Sequence, residues 1–386
     1  MRKGIEIKQY TLSENDRRLL QKQRLSRVAE AMWGPFITVV LVFLVSVVLI
    51  RAAGAQPLQA LVKIFDGAFG TKRALGETLN KMCPLLLCAL GMNIAFRSGL
   101  SSVGGEGQIM IGGIASVAIA LQFTEGASSW IAIPLSLIAG GLGGALWAAI
   151  PGTLKATRGT SELVNTVMLN YVAMYFLSYM LNVVMIEPPG YYAQTPQIAK
   201  TVMMPYVMAG SRLHYGVLVA LLMSVLVYFL LWRTPLGYQL RLVGYNSSAA
   251  KYVGLPIRRN IILAMALHGF LSGLAGGMEV VAVQHRLITG FSTSVGFDAI
   301  AVSLLGGNHP FGTILSALFL AALRTGASTM QLETQVPVAL VSVMQGLIIL
   351  FFLMNRFVKS RIKSLGKAIR SKSAASKDIG KEAGIS

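Results

Sequence analysis

Charged side chains are scarce in this sequence: Asp, Glu, Lys and Arg together make up 13% of its 386 residues. A soluble domain carries about 25%. Hydrophobic residues reach 54%, and several windows stay apolar for the roughly 20 residues that a membrane-spanning helix needs. The composition therefore excludes an ordinary soluble globular protein and predicts an all-α integral membrane protein.

Acidic residues are the scarcer charge, 15 against 34 Lys and Arg, which leaves a net charge of +19. The excess is concentrated at the two ends: eight basic residues lie in residues 1–28 and nine in residues 355–386. Basic segments that flank membrane spans stay on the cytoplasmic side, next to the lipid. We therefore interpret the charge as cytoplasmic tails and predict no nucleic-acid partner.

Cysteines and catalytic motifs are also lacking. The two cysteines, Cys83 and Cys88, lie in one apolar run and offer neither a disulfide framework nor metal-ligand spacing, and the four histidines show no metal spacing either. The sequence contains no G-x-x-x-x-G-K-[S/T] loop for ATP phosphates and no H-E-x-x-H pair. No Ser or Cys nucleophile is matched with a base. We predict no cofactor and no enzyme activity.

The distribution of apolar residues divides the chain into a basic leader (1–33), a transmembrane domain (34–355) and a basic tail (356–386). If the region 298–323, which contains the break GGNHPFG, crossed the membrane once, the basic tail would lie outside. We therefore predict a broken or re-entrant pair there, with both termini cytoplasmic. About ten membrane segments result, at 34–53, 77–97, 105–123, 128–150, 161–186, 213–232, 260–284, the pair in 298–323, and 335–354.

A polar, glycine-rich break interrupts the apolar pattern between residues 93 and 123. It begins NIAFRSGLSSVGGEGQIMIGG and contains Asn93, Glu106 and Gln108. Irregular backbone at membrane depth is tolerated only when it is buried in protein or borders a water-filled cavity, and a carboxylate there is expensive to keep. We interpret this stretch as the lining of a translocation path for a polar solute.

A polar stripe marks the predicted span 260–284. His268, Ser272 and Glu279 fall within a narrow arc of one helix face. Such a stripe borders either a cavity or a neighbouring helix to which it makes structural hydrogen bonds. We include His268 and Glu279 among the candidate path residues.

Amides supply the remaining candidates for the path. Asn165 and Asn170 lie in the predicted span 161–186, where they can bond either solute hydroxyls or a partner helix. Asn308 lies in the break GGNHP, which is either a discontinuous helix whose free backbone groups meet solute or a simple re-entrant turn.

The longest internal polar loop, residues 233–259, reads RTPLGYQLRLVGYNSSAAKYVGLPIRR. Asn246 can cap a short helix over SSAAKYVG that ends at Gly254. A capped helix on a cytoplasmic loop is either a docking element for a soluble partner or a surface helix on the lipid headgroups. The candidate docking residues are Arg241, Gly244, Asn246, Ala249, Ala250 and Gly254.

Several of these strings together resemble one family. The sequence is similar to the membrane permease subunits of ABC importers, in the ribose and branched-chain amino acid permease superfamily, and most of all to the permeases of nucleoside or simple-sugar systems. One departure is Ser102, at a position where relatives often have asparagine. The matching strings are VGGEGQIMIGG (103–113), GTSELVNTVMLNYVA (159–173), LRLVGYNSSAAKYVGLPI (240–257), HGFLSGLAGGMEV (268–280) and FDAIAVSLLGGNHPFGTI (297–314).

The resemblance implies a multi-pass permease in the bacterial cytoplasmic membrane that imports nucleosides or related ribose-containing solutes by alternating access. It implies a separate ABC ATPase subunit that engages the coupling loop 233–259, and a second related permease or a homodimer. It also implies an extracellular or periplasmic solute-binding protein near residues 187–212. The alternatives are a simple-sugar permease and, from another class, an ion-coupled secondary transporter with Glu106 or Glu279 as its proton site.

Overall fold

The computed structural model describes residues 56–207, 210–292, 294–334 and 339–347, together with positions 44, 47, 48, 50, 51 and 350. The chain forms two units. Residues 55–341 make up the larger one, which holds every feature discussed below, and residues 1–54 with 342–386 make up the other. The predicted basic leader and tail, and most of the spans predicted at 34–53 and 335–354, lie outside the described residues.

The described part of the larger unit is helical and contains only isolated β-bridges, between Gln194 and Ile288 and between Tyr206 and His214. Helices α5 and α9 each continue into a π-helical turn, Met180–Val184 and Glu279–Gln284. The helices are, in chain order, α1 Pro57–Phe69, α2 Lys72–Arg97, α3 Gly105–Ala120, α4 Ser129–Arg158, α5 Glu162–Tyr179, α6 Gly216–Arg233, α7 Pro235–Tyr245, α8 Ser247–Tyr252, α9 Ile257–Met278, α10 Val295–Leu305 and α11 Pro310–Thr334.

The observed helix ends are set by local capping residues and differ from the ends of the predicted apolar spans. The Thr71 hydroxyl accepts a hydrogen bond from the Ala74 N–H (3.0 Å), so α2 starts at Lys72, earlier than the predicted span 77–97. Helix α4 continues from the predicted 128–150 to Arg158 and closes at Gly159, whose φ of 68° suits a left-handed C-cap. Both differences arise because backbone hydrogen bonding continues past the hydrocarbon-length window.

Six helical segments in the described part of the chain are long and apolar enough to cross a membrane. The prediction of an all-helical membrane protein is thereby confirmed at this coarse level. The six segments, counted with their π-helical ends, are Lys72–Arg97, Ser129–Arg158, Glu162–Val184, Gly216–Arg233, Ile257–Gln284 and Pro310–Thr334.

Two further apolar helices are short. Helix α3 has 16 residues and α10 has 11, which at 1.5 Å per residue gives about 24 Å and about 17 Å. The hydrocarbon core is about 30 Å thick. Helix α3 therefore covers residues 105–120 of the predicted span 105–123 and is shorter than the hydrocarbon core, so the full span at 105–123 stays a prediction.

The region 298–323 is broken where the sequence predicted. Helix α10 ends at Leu305 and α11 begins at Pro310, with Asn308 at φ 53° in the intervening turn. Near the start of α10, the Asp298 carboxylate accepts from the Arg324 guanidinium, which lies about four turns into α11. A contact between these two positions requires the helices to fold back on one another.

The centre of this unit is the crossing of α4 and α9, where glycines bring two backbones together. A Cβ on Gly273 would lie 2.3 Å from the Gly140 carbonyl oxygen, and one on Gly144 would lie 2.2 Å from the Gly269 oxygen. Any side chain would force the helices apart. Small residues at such crossings are the usual device for close helix packing in membranes.

Candidate functional site

Glu106 lies where the two short helices begin. It is buried, and its carboxylate accepts hydrogen bonds from the Ser292 hydroxyl (2.9 Å) and the Gly296 N–H (2.8 Å), at the start of α10. It is also in the first turn of its own helix α3. The two N-termini meet closely, since a Cβ on Gly296 would lie 2.2 Å from the Glu106 nitrogen. A carboxylate suits the partial positive charge of both helix ends.

Helix α5 holds the segment that leads into α3. Asn170 donates to the Val103 carbonyl (2.9 Å) and accepts from the Gly107 N–H (2.9 Å). One turn earlier, the Thr166 hydroxyl accepts from the Val103 N–H (3.2 Å). Asn165 points elsewhere and donates to the Thr160 hydroxyl (2.6 Å). The meeting point of the α3 and α10 N-termini around Glu106 is called the helix-start junction below. Of the two candidate amides on α5, Asn170 belongs to this junction and Asn165 does not.

Gln108 and His268 meet in the interior between α3 and α9. The Gln108 amide nitrogen lies 3.4 Å from His268 Nδ1, and both side chains are fully buried. Neither the Gln108 Oε1 nor the His268 Nε2 has a hydrogen-bond partner within the described chain. Ser272, the next polar residue of the stripe, contacts the Cys88 sulfur (3.3 Å). This part of the stripe faces neighbouring helices.

Asn93 and Asn308 belong to a second network, at the break between α10 and α11. Asn93 donates to the Thr313 hydroxyl (2.8 Å), and the Ser303 hydroxyl lies within bonding distance of both the Asn93 Oδ1 (2.6 Å) and the Asn308 Oδ1 (3.0 Å). Because a hydroxyl has one proton, it donates to one amide oxygen at a time. The network ties α2 to both helices that flank the break.

Two arginine side chains lie between the network at the α10–α11 break and the internal loop 233–259. Arg97 donates to the backbone oxygens of Asn308 (2.9 Å) and Gly307 (3.3 Å), which the end of α10 leaves without helical partners. Its guanidinium carbon also lies 5.4 Å from the Trp232 ring centroid, and that of Arg241 lies 5.7 Å from the same ring. Trp232 therefore connects α7, which carries Arg241, to the break.

The internal loop 233–259 contains two helices, α7 and α8, where the sequence predicted one. The predicted helix is α8: Asn246 Oδ1 accepts from the Ala249 N–H (3.0 Å), and the turn closes at Gly254 with φ 78°. Ala250 is buried, and Gly244 packs its backbone against that of Arg97. Helix α7 was missed because its start depends on Thr234 and Pro235, a cap and first-turn pair at the end of an apolar run.

Glu279 occupies a different place from the other candidates. It lines a cavity of about 410 Å³, together with residues from the start of α2 (Glu77, Asn80 and Lys81), with Tyr206 and Arg212, and with the π-helical end of α9. The Glu279 carboxylate accepts a hydrogen bond from the Gln284 amide (3.2 Å). The structure thus divides the predicted path residues among the helix-start junction, the interior between α3 and α9, the break and this cavity, and it leaves Asn165 apart from all of them.

Sequence reasoning missed the partners of these candidates. Glu77 and Lys81 stand four apart at the start of α2, the same spacing that selected the stripe on α9, so a pattern was present. Ser292 carried no such indication, because its partner Glu106 is 186 residues away. The missed residues are Glu77, Asn80, Lys81, Arg97, Tyr206, Arg212, Trp232, Gln284, His285, Ser292, Gly296 and Ser303.

The protein has helices of membrane length, two short helices that meet among them, and buried polar networks. These features together define a multi-pass helical membrane protein. The chain belongs to a permease family, because residues 74–353 match the family described as branched-chain amino acid transport system / permease component. The resemblance drawn from the motifs is confirmed. The chain is accordingly a transport subunit and not an enzyme, and membership of this family implies an ATPase partner.

Relatives at similar length support this assignment. The guanosine ABC transporter permease protein NupP of Bacillus subtilis (strain 168) is 34% identical over 86% of this chain and 97% of its own length. The nucleoside ABC transporter permease protein NupB of Lactococcus lactis subsp. cremoris (strain MG1363) is 34% identical over 89% and 96%. The glucose ABC transporter permease protein TsgB13 of Haloferax volcanii is 30% identical over 84% and 88%. No solved structure matches the chain.

Proposed function

We propose that this chain is the permease subunit of an ATP-driven ABC importer that moves nucleosides into the cell by alternating access. The observation that carries the proposal is the 34% identity, over nearly the full length, to two permeases named for guanosine and nucleosides. The glucose relative, at 30% identity, favours a simple-sugar permease as the second candidate.

We propose that the partner ATPase engages α8. The buried Ala250 anchors this short helix to the protein, while Tyr245, the last residue of α7, and Tyr252, the last residue of α8, are more than 90% exposed. Large exposed aromatic side chains on an otherwise polar loop suit a protein interface. We further propose that the leader 1–33, the loop 233–259 and the tail 356–386 lie in the cytoplasm, around a transmembrane domain 34–355 in the bacterial cytoplasmic membrane.

Two further partners complete the proposed assembly. A second related permease, or a second copy of this chain, forms the pore with it, and a solute-binding protein docks near residues 187–212. That segment supports the proposal because its described residues are irregular apart from a short 3₁₀ turn at Lys200–Val202, and because it carries the exposed Tyr191 and Tyr192.

We propose distinct roles for the candidate path residues. Glu106, Gln108, Asn170 and His268 hold the starts of the short helices, and Asn93 and Asn308 hold the break. Discontinuous helices border the solute path in other transporters, so these residues act by fixing the helix ends beside that path. Asn165, bonded to Thr160, has the least connection to it.

Competition for uptake tests the solute class. Cells that produce this chain with its ATPase, permease and binding-protein partners take up a radiolabelled nucleoside in the presence of excess unlabelled competitor. Unlabelled nucleoside should abolish the signal, and ribose or glucose should leave it unchanged. Labelled glucose uptake that nucleosides do not inhibit would establish the second candidate instead.

A further inference from the structure

The cavity that contains Glu279 is separate from both polar networks. Its residues on α2 begin at Glu77, 16 residues before Asn93, which corresponds to about 24 Å along the helix. It lies at the opposite end of α2 from Arg97, beside which α7 packs. With the loop 233–259 on the cytoplasmic side, as proposed above, the cavity opens to the exterior.

Unusual backbone surrounds this cavity. One wall is the π-helical turn Glu279–Gln284, and the next residue, His285, has a left-handed φ of 56°. Isolated π-turns and non-glycine residues at positive φ are uncommon and occur often at functional sites. Both features indicate a wall that is shaped for a ligand.

The polar groups of the cavity have unused hydrogen-bonding capacity. Within the described residues, the Glu279 carboxylate receives one hydrogen bond, from Gln284, although it can accept about four. The Arg212 guanidinium makes no hydrogen bond or ion pair there, and only the backbone oxygen of this residue is bonded, by Asn80 (2.6 Å). An acceptor and a donor group are therefore both available to a solute.

The formal charges of the acidic and basic side chains that line the cavity cancel. Glu77 and Glu279 oppose Lys81 and Arg212, and the Lys81 ammonium already lies 3.9 Å from the Glu77 carboxylate. A cavity with no net formal charge favours a solute with no net charge, a condition that nucleosides and zwitterionic amino acids both meet, so the hydroxyl groups of the solute must distinguish them. A volume of about 410 Å³ is at the lower end of the range for small-molecule sites, about 300–1,000 Å³, and accommodates one small polar molecule.

From this geometry we infer that the cavity is an external binding site for the ribose and heterocycle of a ribonucleoside. The Glu279 carboxylate accepts hydrogen bonds from the two neighbouring ribose hydroxyls, a role that acidic residues also take in dinucleotide sites. The exposed Arg212 donates to a carbonyl oxygen or ring nitrogen of the base, and the exposed Tyr206 lines the same cavity. This inference rests on the proposed function and adds the solute groups that are recognised.

Direct binding to the permease tests the inference, because the solute-binding protein has its own specificity and must be absent. The assembled permease–ATPase complex in lipid nanodiscs is titrated with guanosine, with 2′,3′-dideoxyguanosine and with leucine as a zwitterionic probe. We expect guanosine to bind, the dideoxy analogue to bind at least tenfold more weakly, because charge-assisted hydrogen bonds are lost, and leucine not to bind.

Single substitutions test whether guanosine binds at this cavity. Glu279→Gln should weaken guanosine binding about tenfold and reduce the preference over the dideoxy analogue. Arg212→Gln serves as the second variant, because the guanidinium makes no bond that the fold needs, and it should weaken both ligands equally. Glu125→Gln is the matched control: this exposed carboxylate, bonded to the Lys200 N–H, lies outside the cavity and should leave binding unchanged.

Three results would overturn the inference: no guanosine binding by the wild-type complex, leucine binding that is lost in Glu279→Gln, or guanosine affinity unaltered in both cavity variants. These are distinguishable from failure of the proposed function. If cells import nucleosides with ATP while both cavity variants bind guanosine normally, the permease assignment stands and the cavity assignment falls. If the wild type imports no nucleoside, the proposed function falls as well.

Discussion

Glu106 is a candidate path residue whose carboxylate is bonded within the protein. Both of its oxygens already accept hydrogen bonds, from Ser292 and Gly296, where α10 begins. Removing the charge leaves at least one of these donors facing an amide N–H₂ group. At the scale of single residues, a buried carboxylate in this protein therefore does not by itself mark contact with the solute.

Glu106→Gln should lower the stability of the protein. The expected loss is about 1.5–3 kcal/mol, the usual contribution of a hydrogen bond to a charged group, measured as a lower midpoint of thermal unfolding in detergent. Ser292→Ala removes one donor and keeps the carboxylate on Gly296, so its loss should be smaller. Equal midpoints for Glu106→Gln and the wild type would contradict this role.

His214 provides a prediction for pH. It lies just before α6, and burial, with a smaller effect of nearby His285, lowers its pKa from 6.5 to about 4. Its Nδ1 accepts from the Gly216 N–H (3.1 Å) and would lose this bond on protonation. Because the unfolded chain takes up a proton near pH 6.5 and the folded chain does not, this stability is present above pH 6.5 and is lost as the pH falls toward 4.

The expected loss between pH 7 and pH 5 is about 2 kcal/mol from this histidine. Thermal unfolding at both pH values checks it in the wild type and in His214→Gln. The variant should be less stable at pH 7 and should lose less on acidification. An identical difference between the two pH values in both proteins would remove His214 from the explanation.

At the scale of helices, the close crossing of α4 and α9 is expected to stabilise the protein. Helices α4 and α9 approach so closely that Gly273→Ala places a methyl group 2.3 Å from the Gly140 carbonyl oxygen. The helices must separate, and overpacking of this kind costs about 1–3 kcal/mol. We expect a lower unfolding midpoint for Gly273→Ala.

Gly126→Ala is the control for this crossing, because a Cβ there meets nothing within 4 Å. It should leave the unfolding midpoint unchanged or raise it slightly. If the two alanine variants unfold at the same temperature, the close approach of α4 and α9 does not contribute to stability.

The contact that joins the internal loop 233–259 to the break between α10 and α11 also involves whole helices. Trp232 lies between Arg241 of α7 and Arg97, which bonds the Asn308 and Gly307 carbonyls. Trp232→Leu removes both cation–π contacts, each worth about 0.5–2 kcal/mol. We expect an assembled complex that hydrolyses ATP normally but takes up less solute per ATP.

Trp130→Leu is the matched control, because Trp130 is 90% exposed at the start of α4. Solute uptake and ATP hydrolysis, measured in the same proteoliposomes, should both be unchanged in this variant. A normal ratio of uptake to hydrolysis in Trp232→Leu would show that the loop does not act on the break through this ring.

Local patterns and distant contacts were not equally predictable at this scale. The capped helix at Asn246, the break before Pro310 and the polar stripe on α9 were predicted, because each depends on residues within a few turns of one another. The bonds from Glu106 to the start of α10 depend on partners nearly 190 residues away. The cavity could not be predicted either, since three separated segments line it.

At the scale of the whole molecule, this permease has helices that are broken in two places and held by buried polar networks. The networks of Glu106 and Asn93 fix the helix ends, and Trp232 connects the break to the loop that faces the proposed ATPase. An importer that is driven from a separate subunit needs such a connection, because work done at the cytoplasmic surface must change the shape of the membrane domain.

The most direct test of the central claim is nucleoside accumulation in proteoliposomes that contain the complete complex and its solute-binding protein. Labelled nucleoside is supplied on the binding-protein side, and ATP or a non-hydrolysable analogue on the ATPase side, with and without a proton uncoupler. We predict accumulation that requires hydrolysable ATP and is insensitive to the uncoupler. Accumulation that persists without the ATPase subunit and collapses with the uncoupler would contradict the account and identify an ion-coupled transporter.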